Sequence, residues 1–596
     1  MTAAELRARG NAALAQGRLD EARRCYLQAT VADPADPLPW LNLGFVFVET
    51  AQWPQAQESL ARAISLNRPS DDFLADAHYL LGRAHQEQGA ALAALSDFQA
   101  ALSARPGFAE PMESTANLLL ELKRYDEALE WARRCAATRP SPQADLAAAQ
   151  ALDKLDRPAE ALQLLDSLLS REPAFATAIE GRGNMLLRMG RNEEALAAFE
   201  RTVTLEGETP ARLSNLAAAL HRLGRFEEAV ERARRALVLD PDHRNASYNL
   251  AAVLLEMLRT GEATEVLKRI LRRHPDDADL QWNLAISHLL RGELAEGFAA
   301  HESRFLADSL GWRKPAPDFG RPRWTGRESL AGKSILLFAE QGLGDSIQFL
   351  RYVPGVAAQA GRVVLRLPRA LSVLVADLPD NCRVVLESEP APATDYQCPL
   401  MSLPLARGTT PGSVPANVPY LSADPARVDA WRRRLARQRA SLRVGVVWSG
   451  SAAHVNDRNR SIPLELFRRV AAPGVQFVTL QPEVRMADRP ALEAWTGLAR
   501  FGEELRDFAD TAALICALDL VVTVDTSVAH LAGALARPVW ILLPHFPDWR
   551  WMLDRDDSPW YPTARLWRQP APRDWISVLD AIRAELERVK GIEPSS

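Results

Sequence analysis

The sequence predicts an all-α solenoid followed by an α/β region of two doubly wound, Rossmann-like halves. Three observations predict it. Eight alanines (Ala22, Ala56, Ala94, Ala128, Ala161, Ala195, Ala229 and Ala263) recur at steps of 34, 38, 34, 33, 34, 34 and 34. The period stops near residue 310. Beyond it, short apolar runs alternate with helical stretches and lead into glycine- or hydroxyl-rich turns. Steps of this length belong to paired helices that stack side by side. Apolar strands separated by helices make parallel sheets covered on both faces.

Other positions keep the register of the alanines. Gly10, Gly44, Gly82 and Gly183 lie twelve residues before theirs, where two helices touch. Tyr26, Phe98 and Phe199 lie four after, one turn along the same face. Pro34, Pro106, Pro140, Pro173, Pro241 and Pro275 lie twelve after, where the second helix must stop. The pattern resembles the tetratricopeptide repeat over residues 3 to about 310, as eight repeats and a degenerate ninth from Trp282 to Phe305. The step of 38 implies a few inserted residues near Arg68 to Asp72.

Asn42, Asn215, Asn249 and Asn283 share one place in the first helix of their repeats, as LNLG, SNLA, YNLA and WNLA. Stacked helices would align them as a ladder on the concave wall. A carboxamide both donates to and accepts from a peptide backbone, so such a ladder can hold an extended chain. The arrangement resembles the asparagine ladder of protein O-GlcNAc transferases. The alternative is that Asn is simply common at this repeat position.

Residues 311–332 read as a linker, whose WRKPAPDFGRPRW excludes a long helix. Residues 333–425 form a short first half, with strands at Ser334–Ala339 and Arg362–Leu367 and weaker candidates at Val384–Leu386 and Asp395–Cys398. Residues 426–596 form the second, with strands at Val444–Trp448, Gln476–Leu480, Leu520–Val524 and Val539–Leu543. A last helix starts at Trp575.

Three motifs follow strands, where open α/β sheets bind ligands. Gly342 and Gly344 let backbone approach a ligand, and Asp345 stands at the start of the next helix, as a functional group or as its cap. A dinucleotide fingerprint needs glycine where Ile347 stands, so that reading fails. Ser449-Gly450-Ser451, followed by Arg458 and Arg460, suits a diphosphate. Asp525, Thr526 and Ser527 open another helix, with His530 one turn in, as a phosphate-and-ribose cradle.

GDSIQ and VDTSVAHLAGALARPVWILLP resemble the ADP-heptose:lipopolysaccharide heptosyltransferase family over residues 333 to 590. That resemblance implies a glycosyltransferase B-type fold. It implies a general base at Asp345 and nucleotide-sugar contacts at Asp525, Thr526, Ser527 and His530, with Ser527 where glycine is usual. Ser449 to Ser451 and Arg458 or Arg460 fall where that family contacts phosphate. The first half has only about 90 residues, short for the family's acceptor domain. A repeat arm in front favours a protein acceptor, an architecture like that of bacterial flagellin glycosyltransferases.

Trp549, Trp551, Trp560 and Tyr561 can stack on a base or sugar, or simply pack an irregular segment. Asp554-Arg555-Asp556 spells a DxD motif of a different transferase fold. No His, Cys or Asp cluster has metal spacing, so no metal and no cofactor is expected. The net charge of −5 gives no pull toward nucleic acid. No apolar run reaches a membrane span, the start lacks a signal-peptide core, and five scattered cysteines read as free thiols. A cytoplasmic location is expected.

The expected function is metal-independent, inverting transfer of a sugar from a nucleotide-sugar donor to a hydroxyl of a protein on the repeat arm's concave face. The competing readings are a repeat scaffold with a silent sugar-nucleotide domain, and an epimerase or hydrolase on the same fold.

Overall fold

The computed structural model describes residues 1–66, 73–307, 317–437, 440–454 and 456–589. The expected insertion at Arg68 to Asp72 and the start of the linker lie outside them. The chain divides into two compact units, Met1–Pro241 and Asp242–Ser596.

The first unit holds fourteen helices among the described residues, from Ala3–Ala15 to Phe226–Leu239, in seven antiparallel pairs. The recurring alanines are wholly buried. The glycine twelve residues earlier meets the side chain four residues after the alanine: Tyr26 for Gly10, Leu60 for Gly44, Phe98 for Gly82 and Phe199 for Gly183. A Cβ at Gly183 would stand 2.5 Å from the Phe199 ring, so helix contact there excludes any side chain. The turn between the helices of each pair places one residue in the left-handed region, five before the alanine. Glycine fills that place at 17, 89, 190 and 224, whereas Ala51, Lys123 and Asp156 accept it at φ 53°, 61° and 60°.

The second unit opens with two more pairs: Arg244–Glu256 with Thr260–Leu271, and Ala278–Leu290 with Leu294–His301. A short 3-10 turn, Glu302–Phe305, closes the ninth pair. Its register is intact. Gly292 supplies the left-handed turn, and Gly297, thirty-four residues after Ala263, takes the alanine's place. The units thus part at Pro241, within the repeats, and not at residue 310 where the periodicity ends.

Two parallel sheets follow. The first contains β1 (Ser334–Phe338), β2 (Arg362–Leu367), β3 (Cys382–Leu386) and β4 (Tyr396–Pro399), in the order β3-β2-β1-β4. The linker's end adds a bridge, Arg323 to Gln397, beside β4, and Trp324 is buried there. The second contains β5 (Leu442–Val447), β6 (Val475–Thr479), β7 (Leu498–Ala499), β8 (Leu520–Val524), β9 (Val539–Leu543) and β10 (Ala564–Arg568). Its order is β10-β9-β8-β5-β6-β7, that of a doubly wound dinucleotide-type sheet. β8 and β9 are buried at every residue, which is why they read as continuous apolar runs. The sequence did not predict β7, which has two residues, or the edge strand β10, whose ARLWR leaves Arg565 exposed.

Candidate functional site

In each sheet the chain order reverses between two neighbouring strands, β1 and β4 in the first, β5 and β8 in the second. Ligands of such sheets bind outside the carboxyl ends of strands at that point. The three predicted motifs follow β1, β5 and β8. The helices after β1 and β8, Leu343–Phe349 and Ser527–Ala534, pack on each other and bring two of these loops together. Gly344 makes that approach possible, since a Cβ there would stand 2.9 Å from His530 Cδ2.

Asp345 Oδ2 accepts the backbone N–H of Gly342 at 2.8 Å, the helix-capping role. Its Oδ1 accepts from Arg550 of the second half. Arg550 is almost wholly buried and also donates to Asp548 Oδ1 at 2.8 Å and to Gln348 Oε1 at 2.7 Å. Asp548 and Asp345 together hold it charged against the cost of burial. Both oxygens of Asp345 are thus engaged, one structurally and one in an ion pair across the halves.

Asp525 is recessed at the end of β8. Burial, then the nearby Asp548 carboxylate, pushes its pKa up to about 7, against the pull of Arg460 and Arg550. Arg460 NH1 donates to the Asp525 carbonyl at 3.0 Å. A Cβ on Gly450 would stand 2.7 Å from Arg460 NH2, so the glycine leaves room for the guanidinium. Thr526 is the N-cap of the next helix but makes no side-chain cap, and its hydroxyl pairs with Thr523 Oγ1 at 3.2 Å. Partial burial and Arg460 lower the His454 pKa, while Asp548 and Asp345 oppose them.

The remaining predicted residues are placed as follows. Ser449 is buried, and its hydroxyl accepts from Gln481 Nε2 at 2.6 Å. Ser451 is exposed. Arg458 is exposed and, among the described residues, has no hydrogen bond or ion pair; Arg460 is the arginine that reaches the site. His530 is buried, stacked on Trp551 at 5.3 Å and bonded through Nδ1 to the Tyr561 hydroxyl at 3.0 Å. Burial, then Arg550, Arg351 and Arg460, drives its pKa well down, so it is a neutral group joining the halves. Trp549, Trp551, Trp560 and Tyr561 are buried, so the aromatic segment packs inward and offers no stacking face. Asp554 and Asp556 are exposed in the loop before β10, away from the central strands.

Asn42 is half-buried and donates to Asn11 Oδ1 at 3.0 Å. Asn215 and Asn249 are half-buried. Asn283 is only 8% exposed, and its amide nitrogen has no hydrogen-bond partner among the described residues. Its helix packs against the turns Trp549–Trp551 and Glu302–Phe305 and so is no open wall there. Sequence reasoning missed Arg550, Asp548, Gln348 and Gln481. The signal for the first two was an acid and an arginine two apart inside a tryptophan-rich run, where burial forces charges to pair.

Tetratricopeptide repeat models match residues 41–107, 79–145, 146–211 and 220–286, and a TPR repeat model matches 10–50. Protein FlbA of Caulobacter vibrioides is 29% identical over 308 residues, 46% of this chain and 50% of that protein. The chain therefore spans about half the length of this curated relative. A TPR repeat-containing protein of Methanocaldococcus jannaschii is 28% identical over 118 residues, 20% of each chain. Among solved structures, a tetratricopeptide repeat protein from Parabacteroides merdae matches 42% of this chain and 98% of its own, at 20% identity and TM-score 0.34. No described helix is long and apolar enough to cross a membrane. The helical arm is a run of tetratricopeptide repeats, and two parallel sheets follow it.

Proposed function

We propose that the chain is a sugar-nucleotide-dependent glycosyltransferase of the B type that modifies a hydroxyl on a protein bound by the repeats. The observation that carries this reading is the meeting of three strand-end loops at two switch points, with Asp345 from one half and Arg460, Asp525 and Arg550 from the other. In this reading the donor lies on the second half. Its diphosphate takes the uncapped first turn at Thr526 and Ser527 and the charge of Arg460. The acceptor oxygen attacks the anomeric carbon as the bond to the diphosphate breaks, and the nucleotide leaves with the electron pair. Asp345 receives the acceptor proton, which requires Arg550 to shift wholly onto Asp548. A single displacement inverts the anomeric centre.

The test is a panel of sugar nucleotides, read first by thermal shift and then by nucleotide release with and without host-cell protein extract. Binding with release only in the presence of extract supports the transferase. Asp345→Asn should keep donor binding and lose transfer; retained transfer removes Asp345 from the mechanism. The second reading, a scaffold with a silent sugar-nucleotide domain, is favoured by the double engagement of Asp345. It predicts binding without release under every condition.

A further inference from the structure

We propose that the ninth helical pair is a brace for the transfer site, with Arg304 and His301 as positioning residues for Asp345 and Arg550. The proposal rests on the transferase reading of that site. Two routes run from the pair, one to each member of the Asp345–Arg550 ion pair.

The first route is polar. Arg304, in the turn after the last repeat helix, donates to Glu340 Oε1 at 2.8 Å through NH2 and to Oε2 at 3.2 Å through Nε. It also donates to Ser402 Oγ at 2.7 Å and Glu302 Oε1 at 2.8 Å. Glu340 Oε1 further accepts the Met401 N–H at 3.2 Å. The side chains of Arg304 and Glu340 are 1% and 4% exposed. Glu340 stands two residues before Gly342, the N-cap of the helix that carries Asp345. Arg304 thus fixes the loop that aims Asp345.

The second route is aromatic. Trp549 lies 5.6 Å from Phe298 and 5.8 Å from His301, and Trp282 lies 5.1 Å from His301. The Arg550 guanidinium sits 4.3 Å over the Trp549 ring. The Leu553 N–H donates to the Leu290 carbonyl at 2.9 Å and ties the end of this segment to the ninth pair. Burial and the charges of Arg304 and Arg550 keep His301 neutral, and its Nδ1 lies 3.2 Å from Arg304 NH1. The two routes therefore meet at His301.

Stability alone is a poor reason for this cluster. A buried ion pair is often matched or bettered by apolar residues of similar volume. What apolar packing lacks is directional control of a loop, and here the loop belongs to the site.

The experiment uses the full chain with Arg304→Met, which leaves Glu340 unpaired, and with Arg304→Met/Glu340→Gln, which removes the buried charges together. Melting temperature, amide hydrogen exchange and transfer kinetics are read for each. In the double variant the fold is retained, exchange at Gly342–Gln348 and Trp549–Met552 accelerates, and kcat falls roughly tenfold to a hundredfold with donor KM unchanged. The proposal is overturned if exchange in both segments stays at the wild-type rate, or if exchange rises while kcat holds. A wild-type chain that transfers no sugar refutes the transferase reading, while the exchange measurement still decides whether the ninth pair braces these loops.

Discussion

Replacing Asp525 by asparagine removes a carboxyl that burial and Asp548 hold up at about 7, against 3.8 for the free group. Because the native value is raised, protonation favours the folded state. The group's contribution is fully present below about pH 4 and lost as pH rises to about 7, beyond which it is flat. At pH 8 the carboxylate is charged in both states, and the gap between the two values is a cost of about 4 kcal/mol to the native state. At pH 5 the native group is neutral and only the unfolded chain is ionised, so the cost is smaller, about 2 kcal/mol. Asparagine carries neither cost. The hydrogen bonding of the new amide adds an offset common to both pH values, so the widening of the gap is diagnostic: roughly 2–3 kcal/mol in favour of D525N between pH 5 and pH 8. Urea unfolding of the two proteins at both pH values measures it. An equal gap at the two pH values, or one that narrows, refutes a neutral Asp525 in the folded protein.

Four further outcomes are expected. Gly344→Ala drives a methyl toward His530 and should destabilise the second unit by about 1–3 kcal/mol, seen as a lower melting temperature. A retained melting temperature would mean that the two helices can part at no cost. Lys123→Gly should stabilise the first unit by about 0.5–1 kcal/mol in urea melts, because an exposed lysine leaves the left-handed region and no packing is lost. Phe298→Ala should cost about 3–5 kcal/mol, since the ring is 1% exposed against Trp549. A chain beginning at residue 333 should fail to give cooperative melting, because Glu340 loses Arg304 and Trp549 loses Phe298, whereas one beginning at Asp242 should fold.

The helical arm was legible because each repeat repeats its own constraint. Ala195 must be small where helices cross, and Gly183 must be bare beneath Phe199. The central strands were legible because burial on both faces leaves only apolar residues, as in LVVTV and VWILL. β10 was not, because an edge strand half open to solvent tolerates Arg565. The ninth pair looked degenerate because Gly297 replaces the alanine, although its spacing is unchanged. At the site, Asp345, Asp525 and Arg460 were found by their place after strands. Arg550 was not, because its partners Asp345 and Gln348 lie 205 and 202 residues away. Only the fold brings such a pair together. His530 and the aromatic segment show the converse. Their residue types suggested ligand contact, while their surroundings engage them in packing.

The division at Pro241 sets a limit on how this arm can change. A repeat that touches only its neighbours can be duplicated or lost with little consequence beyond them. The seven pairs before the division form a compact unit of their own, so a pair gained or lost among them changes the length of the arm. The last two pairs belong to the compact unit that holds the sheets, and the ninth contributes Arg304 and Phe298 to their interior. Relatives of this protein should therefore vary in repeat number upstream of residue 242 and keep the final two pairs in fixed count.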